Sequence, residues 1–351
     1  MKIIAEAGVN HNGSLETAKK MVDAAVEAGA DYIKFQTFHA HSLVTALCEP
    51  AEYQKENAGA SSQEEMLKNL ELSYQDFKEL KYYCDLKGIG FLSTAFDEES
   101  IDFIASLKPD YMKVPSGEIT DLPFLRKMAS TGIPVIISTG MSTPEEISNA
   151  LVPFRKAGYN SEDIILLHCT TQYPTPMEDV NLLAMKTVAG NFGHPGGYSD
   201  HTLGIEIPIA AATLGAQIVE KHFTLDKNME GPDHKASLEP AELAAMVKAI
   251  RNIEVALGHG VKEVKESEKD NIIAARRSIV AKRPIAKGQV ITEEDITTKR
   301  PAIGISPMLW DKVIGSKAIR DFDKDEHIEI EEGGLFDMGN WKKSLSNWKL
   351  S

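Results

Sequence analysis

The sequence predicts an α/β protein: a (β/α)8 TIM barrel followed by a small β-rich domain. Three observations carry that prediction. Eight short apolar runs recur along residues 1–222, reading KIIAEAG, DYIKFQT, GFLSTAF, YMKVPSGE, PVIISTG, IILLHCT, GYSDHT and IVEKHFT. Helical stretches lie between the runs, and strands alternating with helices form a parallel sheet. After residue 258 the composition changes to a charged stretch and then to short β-type runs. Eight βα units close into a barrel of about 250 residues, which leaves an appendage in a chain of 351.

The strands are expected near 2–6, 31–36, 90–94, 110–114, 134–138, 163–168, 196–199 and 217–222. The first helix, 15–29, has Ser14 as its N-cap and Gly29 as its stop. The insertion from His39 to Leu70, which includes Glu52, Tyr53, Gln54, Ser62 and Gln63, is longer than an ordinary βα loop. Helix 73–87 follows from the apolar spacing of Phe77, Leu80, Tyr83 and Cys84. Helices near 97–107, 121–130 and 143–157 come next. Pro144 with Glu145 and Glu146 marks the last of these, because proline fits the first turn and acids suit the helix dipole. Strand 163–168 runs into a loop, CTTQYPTP. A helix at 207–214 separates the last two strands, and helix 239–257 completes the barrel.

The domains are therefore expected at 1–258 (barrel), 259–275 (charged linker), 276–330 (β-rich domain) and 331–351 (a tail without a clear element). A domain of about 55 residues is marginal alone and is expected to dock on something.

Bulk properties exclude several functions. A hydrophobic content of 42% supports a large core, and no apolar run reaches the ~20 residues of a membrane span. A net charge of −14 argues against general binding of nucleic acid or anionic membrane. Cys48, Cys84 and Cys169 are scattered and odd in number, as expected of reduced thiols in a cytoplasmic protein. The chain enters a strand at Lys2, so no signal peptide is expected. No Walker loop, Rossmann glycine signature or nucleophile elbow is present.

Barrel chemistry sits at the carboxyl ends of the strands. The residues there include Glu6, Lys34, Gln36, Thr94, Lys113, Ser116, Ser138, Ser199, His201 and His222. His201 and His222 end neighbouring strands about 5 Å apart, so they could share one divalent cation with open positions, or be hydrogen-bonded structural histidines. Lys34 and Lys113, with the serines, either bind a phosphate or carboxylate or pair with Glu6, Glu118 or Glu220. Glu6 could activate water or serve as a counter-ion. Gly13, Gly117 and Gly140 follow strand ends, where a missing side chain lets backbone approach a ligand. These residues point to a metal-assisted enzyme acting on a small anion. A catalytically silent sugar-phosphate binding protein on the same fold is the alternative; it would not need Glu6, Lys113, His201 and His222 together.

At AEAGVNHNGS, KFQTF, YMKVPSGE, STGM, HCTTQYPTP, GYSDHT, EKHFTLDK, GPDHKASLEP and TKRPAIGIS the sequence resembles the sialic acid synthase family, the phosphoenolpyruvate-dependent nonulosonate synthases. The C-terminal unit resembles that family's antifreeze-like (SAF) domain. The resemblance implies a transferase. It would condense phosphoenolpyruvate with an N-acylmannosamine-type sugar, giving a sialic acid (the N-acetylneuraminate synthase type) and releasing phosphate by C–O cleavage. N,N'-diacetyllegionaminate synthesis from 2,4-diacetamido-2,4,6-trideoxymannose is the alternative acceptor chemistry. A different phosphoenolpyruvate synthase, making a 3-deoxy keto sugar acid, is disfavoured by the antifreeze-like segment.

The resemblance also implies roles. Metal ligands fall on His201 and His222, for Mn2+ or alternatively Mg2+ or Co2+. Phosphoenolpyruvate contacts fall on Lys34, Lys113, Ser116, Ser138 and Ser199, with Thr94 nearby. Sugar contacts fall on Gln36, Tyr173 and Asp233. Glu6 is the catalytic glutamate. Arg300 is delivered by the partner in a domain-swapped homodimer. The sequence departs from common family patterns at Thr171, Ala95, Ala302 and Ile303.

Overall fold

The computed structural model describes residues 1–43 and 63–331. Cys48, Glu52, Tyr53, Gln54, Ser62 and the tail 332–351 lie outside the described residues. Packing divides the chain into two compact units, Met1–His259 and Gly260–Ser351.

The first unit is a closed parallel barrel. Its strands are β1 (Lys2–Gly8), β2 (Tyr32–Thr37), β3 (Gly90–Ala95), β4 (Met112–Val114), β5 (Val135–Ser138), β6 (Ile164–His168), β7 (Gly196–Asp200) and β8 (Ile218–His222), in sequential order with β8 returning to β1. The outer helices are α1 (Leu15–Ala28), α2 (Gln63–Leu70), α3 (Tyr74–Lys87), α4 (Glu98–Ser106), α5 (Leu122–Ser130), α6 (Pro144–Lys156), α7 (Ala184–Phe192), α8 (Glu206–Thr213) and α9 (Pro240–Leu257).

Local chemistry explains the boundaries. Ser14 accepts from the Thr17 amide at the start of α1, and Gly29 ends it in the left-handed conformation. Ser73 with Asp76, and Thr143 with Glu146, form reciprocal capping boxes at α3 and α6. Two of the barrel's longer helices differ from the sequence expectation. α2 lies inside the insertion, and α7 fills the segment after the CTTQYPTP loop. Both are among the shortest of these: α2 is mostly polar, whereas α7, AMKTVAGNF, contains a glycine that obscures its helical period.

Strand alternation sorts the barrel interior into layers. Ile4, Leu92, Ile136, Ile165, Leu167 and Ile218 pack together inside as an apolar plug. Two residues further along β1, β3, β5 and β8 come Glu6, Thr94, Ser138 and Glu220, on the same inward face. The barrel is therefore filled below and polar at its carboxyl rim. Outside, two large apolar clusters seat the helices on the strands. One includes Phe35, Phe77 and Met246, the other Phe124, Phe154 and Leu166.

The second unit contains α10 (Lys269–Ala275) and an antiparallel pair, β9 (Ser278–Ala281) with β10 (Ile296–Lys299). Isolated antiparallel bridges join Val280 to His327, Ile285 to Phe322 and Val290 to Lys317. Its core is Ile279, Ile285, Ile291, Ile296, Phe322 and Ile328 with smaller neighbours. Buried Asp295 ties two turns together by accepting from Thr292 and Arg283. The charged stretch read as a linker is partly ordered, since α10 occupies its second half.

Candidate active site

One cavity of about 190 Å3 opens at the carboxyl rim of the barrel. It is lined by Glu6, Lys34, Gln36, Thr94, Lys113, Ser116, Ser138, Tyr173, Ser199, His201 and His222. Eleven sequence-derived candidates thus converge on one space. Asp233 lies instead in an adjoining cavity, which shares Gln36, Tyr173 and His222 with the first. Arg300 belongs to the second unit, where it is exposed after β10.

Register explains the convergence. Glu6 on β1 is level with Lys34 on β2 and with His222 on β8. Thr94 is level with Lys113, and Ser199 with Glu220. Lys34 Nζ lies 2.7 Å from Glu6 Oε2 and donates to Thr94 Oγ1 at 3.0 Å. Lys113 Nζ donates to Ser138 Oγ at 2.8 Å and reaches Glu220 Oε1 at 3.5 Å. Ser199 Oγ donates to the same Glu220 oxygen at 3.0 Å. Ser116 Oγ accepts from the Gly140 amide at 3.0 Å. A methyl group at Gly140 would stand 2.6 Å from Thr171 Cγ2 and 2.8 Å from Ser116 Oγ, so only glycine lets these loops meet. Gly117, by contrast, meets nothing, and its loop placement has no such cause.

Two carboxylates and two ammonium groups share this buried space, and their environments push them apart. Burial raises the Glu6 carboxyl to about 7, helped by the nearby Glu220 charge and opposed by Lys34. Burial opposes ionisation of Glu220 too, but Lys113 and Lys34 outweigh it and hold this carboxyl down at about 2. Lys34 is buried as well, yet Glu220 and Glu6 keep it charged with a raised pKa. Burial lowers Lys113, with Glu220 partly offsetting it. Glu6 sits 2.7 Å from a cation and is still raised, because burial outweighs that attraction and the Glu220 charge adds to it. Each proton that Glu6 takes up near neutrality leaves the cluster more positive, which suits an incoming anion.

The histidines are neutral. Burial lowers His201 to about 4 and holds His222 well below the usual imidazole value. Their ring centroids are 5.4 Å apart. His201 Nδ1 contacts the Thr170 carbonyl at 2.6 Å, which assigns the proton to Nδ1 and leaves the Nε2 lone pair facing Tyr173 Oη at 2.9 Å. Buried His222 Nδ1 has no hydrogen-bond partner among the described residues. Two neutral imidazoles lining the same cavity, one with its lone pair toward Tyr173 and one with an unsatisfied nitrogen, suit a divalent cation. Among the described residues no group of three or more His, Cys, Asp and Glu could hold a metal. The two histidines thus fit a cation whose other positions are left to substrate and water.

Sequence reasoning named Glu220 only as a possible counter-ion, yet it is the hub of the charge network. Its signal was its place two residues before His222 on β8, hence on the same inward face. Cys169, Pro115, Phe96, Thr171 and Met141 also line the cavity. A fully buried pair, Lys221 Nζ and Asp200 Oδ2 at 2.6 Å, lies between adjacent strands β8 and β7 outside the cavity lining.

Comparisons with known proteins identify the family. The NeuB family matches residues 21–262, and the SAF domain matches 276–330. The chain is 49% identical over 327 residues to N,N'-diacetyllegionaminic acid synthase of Campylobacter jejuni, covering 93% of this chain and 98% of that protein. It is 48% identical to the Legionella pneumophila protein of the same name, covering 93% of this chain and 94% of that one. Among solved structures it resembles N-acetylneuraminic acid synthetase from Leptospira borgpetersenii, crystallised with citrate. The TM-score there is 0.68 at 36% identity, over 77% of this chain and 89% of that one. No helix among the described residues is long and apolar enough to cross a membrane. The chain belongs to the NeuB family.

Proposed function

We propose that this protein condenses phosphoenolpyruvate with the open-chain aldehyde of an N-acylated mannosamine-type sugar, giving a nine-carbon 2-keto acid and phosphate. The observation that carries the reading is the buried set of Glu6, Lys34, Lys113 and Glu220 beside His201 and His222 in one cavity. The names of the two Campylobacter and Legionella relatives favour a diacetamido-trideoxymannose acceptor over N-acetylmannosamine.

The atoms balance as follows. C3 of phosphoenolpyruvate bonds to the aldehyde carbon, whose oxygen takes up a proton. Water adds at C2 and gives up a proton. The bond between C2 and the phosphate's bridging oxygen then breaks, the new hydroxyl becomes the ketone as its proton passes to the departing phosphate, and phosphate leaves with that oxygen.

Lys34, Lys113, Ser116, Ser138 and Ser199 hold the carboxylate and phosphate of phosphoenolpyruvate. Thr94 positions Lys34. Gln36 and Tyr173 orient the sugar at the boundary between the two cavities. Glu6, poised near neutrality, holds and moves the proton of the water that adds at C2. Glu220 keeps Lys34 charged and partly offsets the cost of burying a charged Lys113 before the substrate arrives. A divalent cation on His201 and His222, Mn2+ with Mg2+ or Co2+ as alternatives, supplies Lewis acidity toward the aldehyde oxygen when bound. The reading also assigns a domain-swapped homodimer in which Arg300 of one copy completes the other's sugar site. It assigns the cytoplasm, where phosphoenolpyruvate is made. The domain limits adopted are 1–258 for the catalytic barrel and 276–330 for the SAF domain.

The test is purified protein with phosphoenolpyruvate, Mn2+ and each acylated sugar, followed by phosphate release. Sugar-dependent release supports the reading. No release with either sugar contradicts it.

A further inference from the structure

His201 and His222 are each preceded by a charged residue, and those two residues meet. Asp200 on β7 is level with Lys221 on β8, one position before each histidine. Alternation turns Ser199, Glu220 and the two histidines toward the cavity and turns Asp200 and Lys221 away from it. Both charged side chains are fully buried, with Lys221 Nζ 2.6 Å from Asp200 Oδ2.

The pair does more than bridge two strands. Lys221 Nζ also donates to the Thr202 carbonyl. Asp200 Oδ1 accepts from the Thr202 amide at 3.1 Å, and Asp200 Oδ2 accepts from the Thr202 hydroxyl at 3.0 Å. One ammonium group therefore holds the residue before His201 and the residue after it, and the same lysine immediately precedes His222. The ladder between β7 and β8 ends at this pair. Past it, the side-chain bonds of Asp200 and Lys221 take over the spacing of the two chains. The outer sides are anchored separately. The His201 carbonyl accepts from the Thr175 amide at 2.9 Å, and the His222 carbonyl accepts from the Leu238 amide at 2.9 Å.

Stability is a poor reason for such a pair. Withdrawing two charges from water costs about as much as their attraction returns, and well-packed apolar side chains of similar size hold a core equally well. What an apolar pair would lack is the grip on Thr202.

We propose that Asp200 and Lys221 are positioning residues for the histidine pair: their ion pair, closed over Thr202, sets the spacing at which the His201 and His222 imidazoles both reach one divalent cation. The proposal rests on the reading of the two histidines as cation ligands and adds two residues that touch neither cation nor substrate.

The test measures Mn2+ binding to the full-length protein by the paramagnetic resonance of free Mn2+, beside urea unfolding of the metal-free protein. Asp200→Leu combined with Lys221→Met replaces the pair by apolar side chains of similar size. The unfolding midpoint of this double variant should stay close to that of the unaltered protein, while its Kd for Mn2+ rises at least ~10-fold. Thr202→Val keeps the ion pair and removes one bond of the grip, so it should weaken binding in the same direction by less. Adding His201→Ala to the double variant should weaken binding by less than His201→Ala does alone, because both changes act through one imidazole. A purely structural pair predicts unchanged Mn2+ affinity in the folded double variant. That result overturns the proposal, as does unchanged affinity in Thr202→Val if the double variant does not fold. Unaltered protein that binds no Mn2+ removes the cation reading and this proposal with it. Mn2+ binding that depends on the pair, in a protein that releases no phosphate with either sugar, supports the proposal and sinks the condensation alone.

Discussion

Glu6 Oε2 and Lys34 Nζ lie 2.7 Å apart at level positions of adjacent strands, with the two side chains 1% and 3% exposed. An ion pair this deep is maintained for what it does more than for the stability it adds, because desolvation offsets most of the attraction. The two halves should respond differently to removal. Lys34→Met strands two carboxyls with one lysine and should cost about 3 kcal/mol in urea unfolding. Glu6→Gln leaves Lys34 still facing Glu220 at 3.6 Å and should cost about 1 kcal/mol or less. Equal losses would contradict the division of charge described above.

Glu6→Gln should nonetheless be a severe catalytic lesion. It keeps shape and hydrogen-bonding capacity but cannot exchange a proton. We expect kcat to fall by about 10^2 to 10^4 with the KM for phosphoenolpyruvate changed little. Steady-state phosphate release measures both. A large rise in KM with kcat retained would make Glu6 a binding group.

Glu118 provides a pH test away from the histidines. Burial, with repulsion from Asp121, raises its carboxyl from 4.5 to about 7, and its Oε2 is buried without a partner among the described residues. A raised folded-state value means that the native protein binds the proton more tightly than the unfolded chain. That stability is full below pH 4.5 and is lost as pH rises through about 7. Glu118→Gln should therefore gain about 2 kcal/mol relative to wild type on going from pH 5 to pH 8, read from denaturation midpoints. A difference that does not change with pH would refute this assignment.

The histidine pair predicts direct metal binding. Chelator treatment should abolish turnover and Mn2+ should restore it. His222→Ala and His201→Ala should each weaken Mn2+ affinity, followed by the paramagnetic resonance of free Mn2+. Tyr173→Phe, which removes the hydroxyl next to His201 Nε2, should weaken it by less. Full turnover in metal-free protein would rule out the cation's role.

Arg300 can be tested in trans. If it acts across a homodimer, mixing Arg300→Ala with Lys113→Ala should restore about one quarter of wild-type activity, because half the dimers carry one complete site. No recovery on mixing would place Arg300 elsewhere in the reaction or outside it.

Much of this was legible in the sequence because barrel strands are short, apolar and end in the residues that do chemistry. Alternation along KIIAEAG and IVEKHFT already puts Ile4 below Glu6, and Ile218 below Glu220 and His222. What was not legible follows from physical causes. α2 and α7 are short helices with weak apolar periods, so neither stood out from its loop. The role of Glu220 depends on two lysines contributed by other strands, and no local pattern shows that. The adjoining cavity is made by side chains from the loops after β1, β6 and β8, together with α2. Pairing of this kind is fixed by loop packing such as Gly13 against Asn69, and spacing along the chain does not reveal it.

The most direct measurement uses phosphoenolpyruvate labelled with 18O at the bridging oxygen, incubated with the protein, Mn2+ and the diacetamido sugar. The structure-based reading predicts that the label leaves in phosphate and that the keto acid carries oxygen from solvent. Label retained in the keto acid would mean that the P–O bond breaks instead, and would contradict water addition at C2 in this cavity.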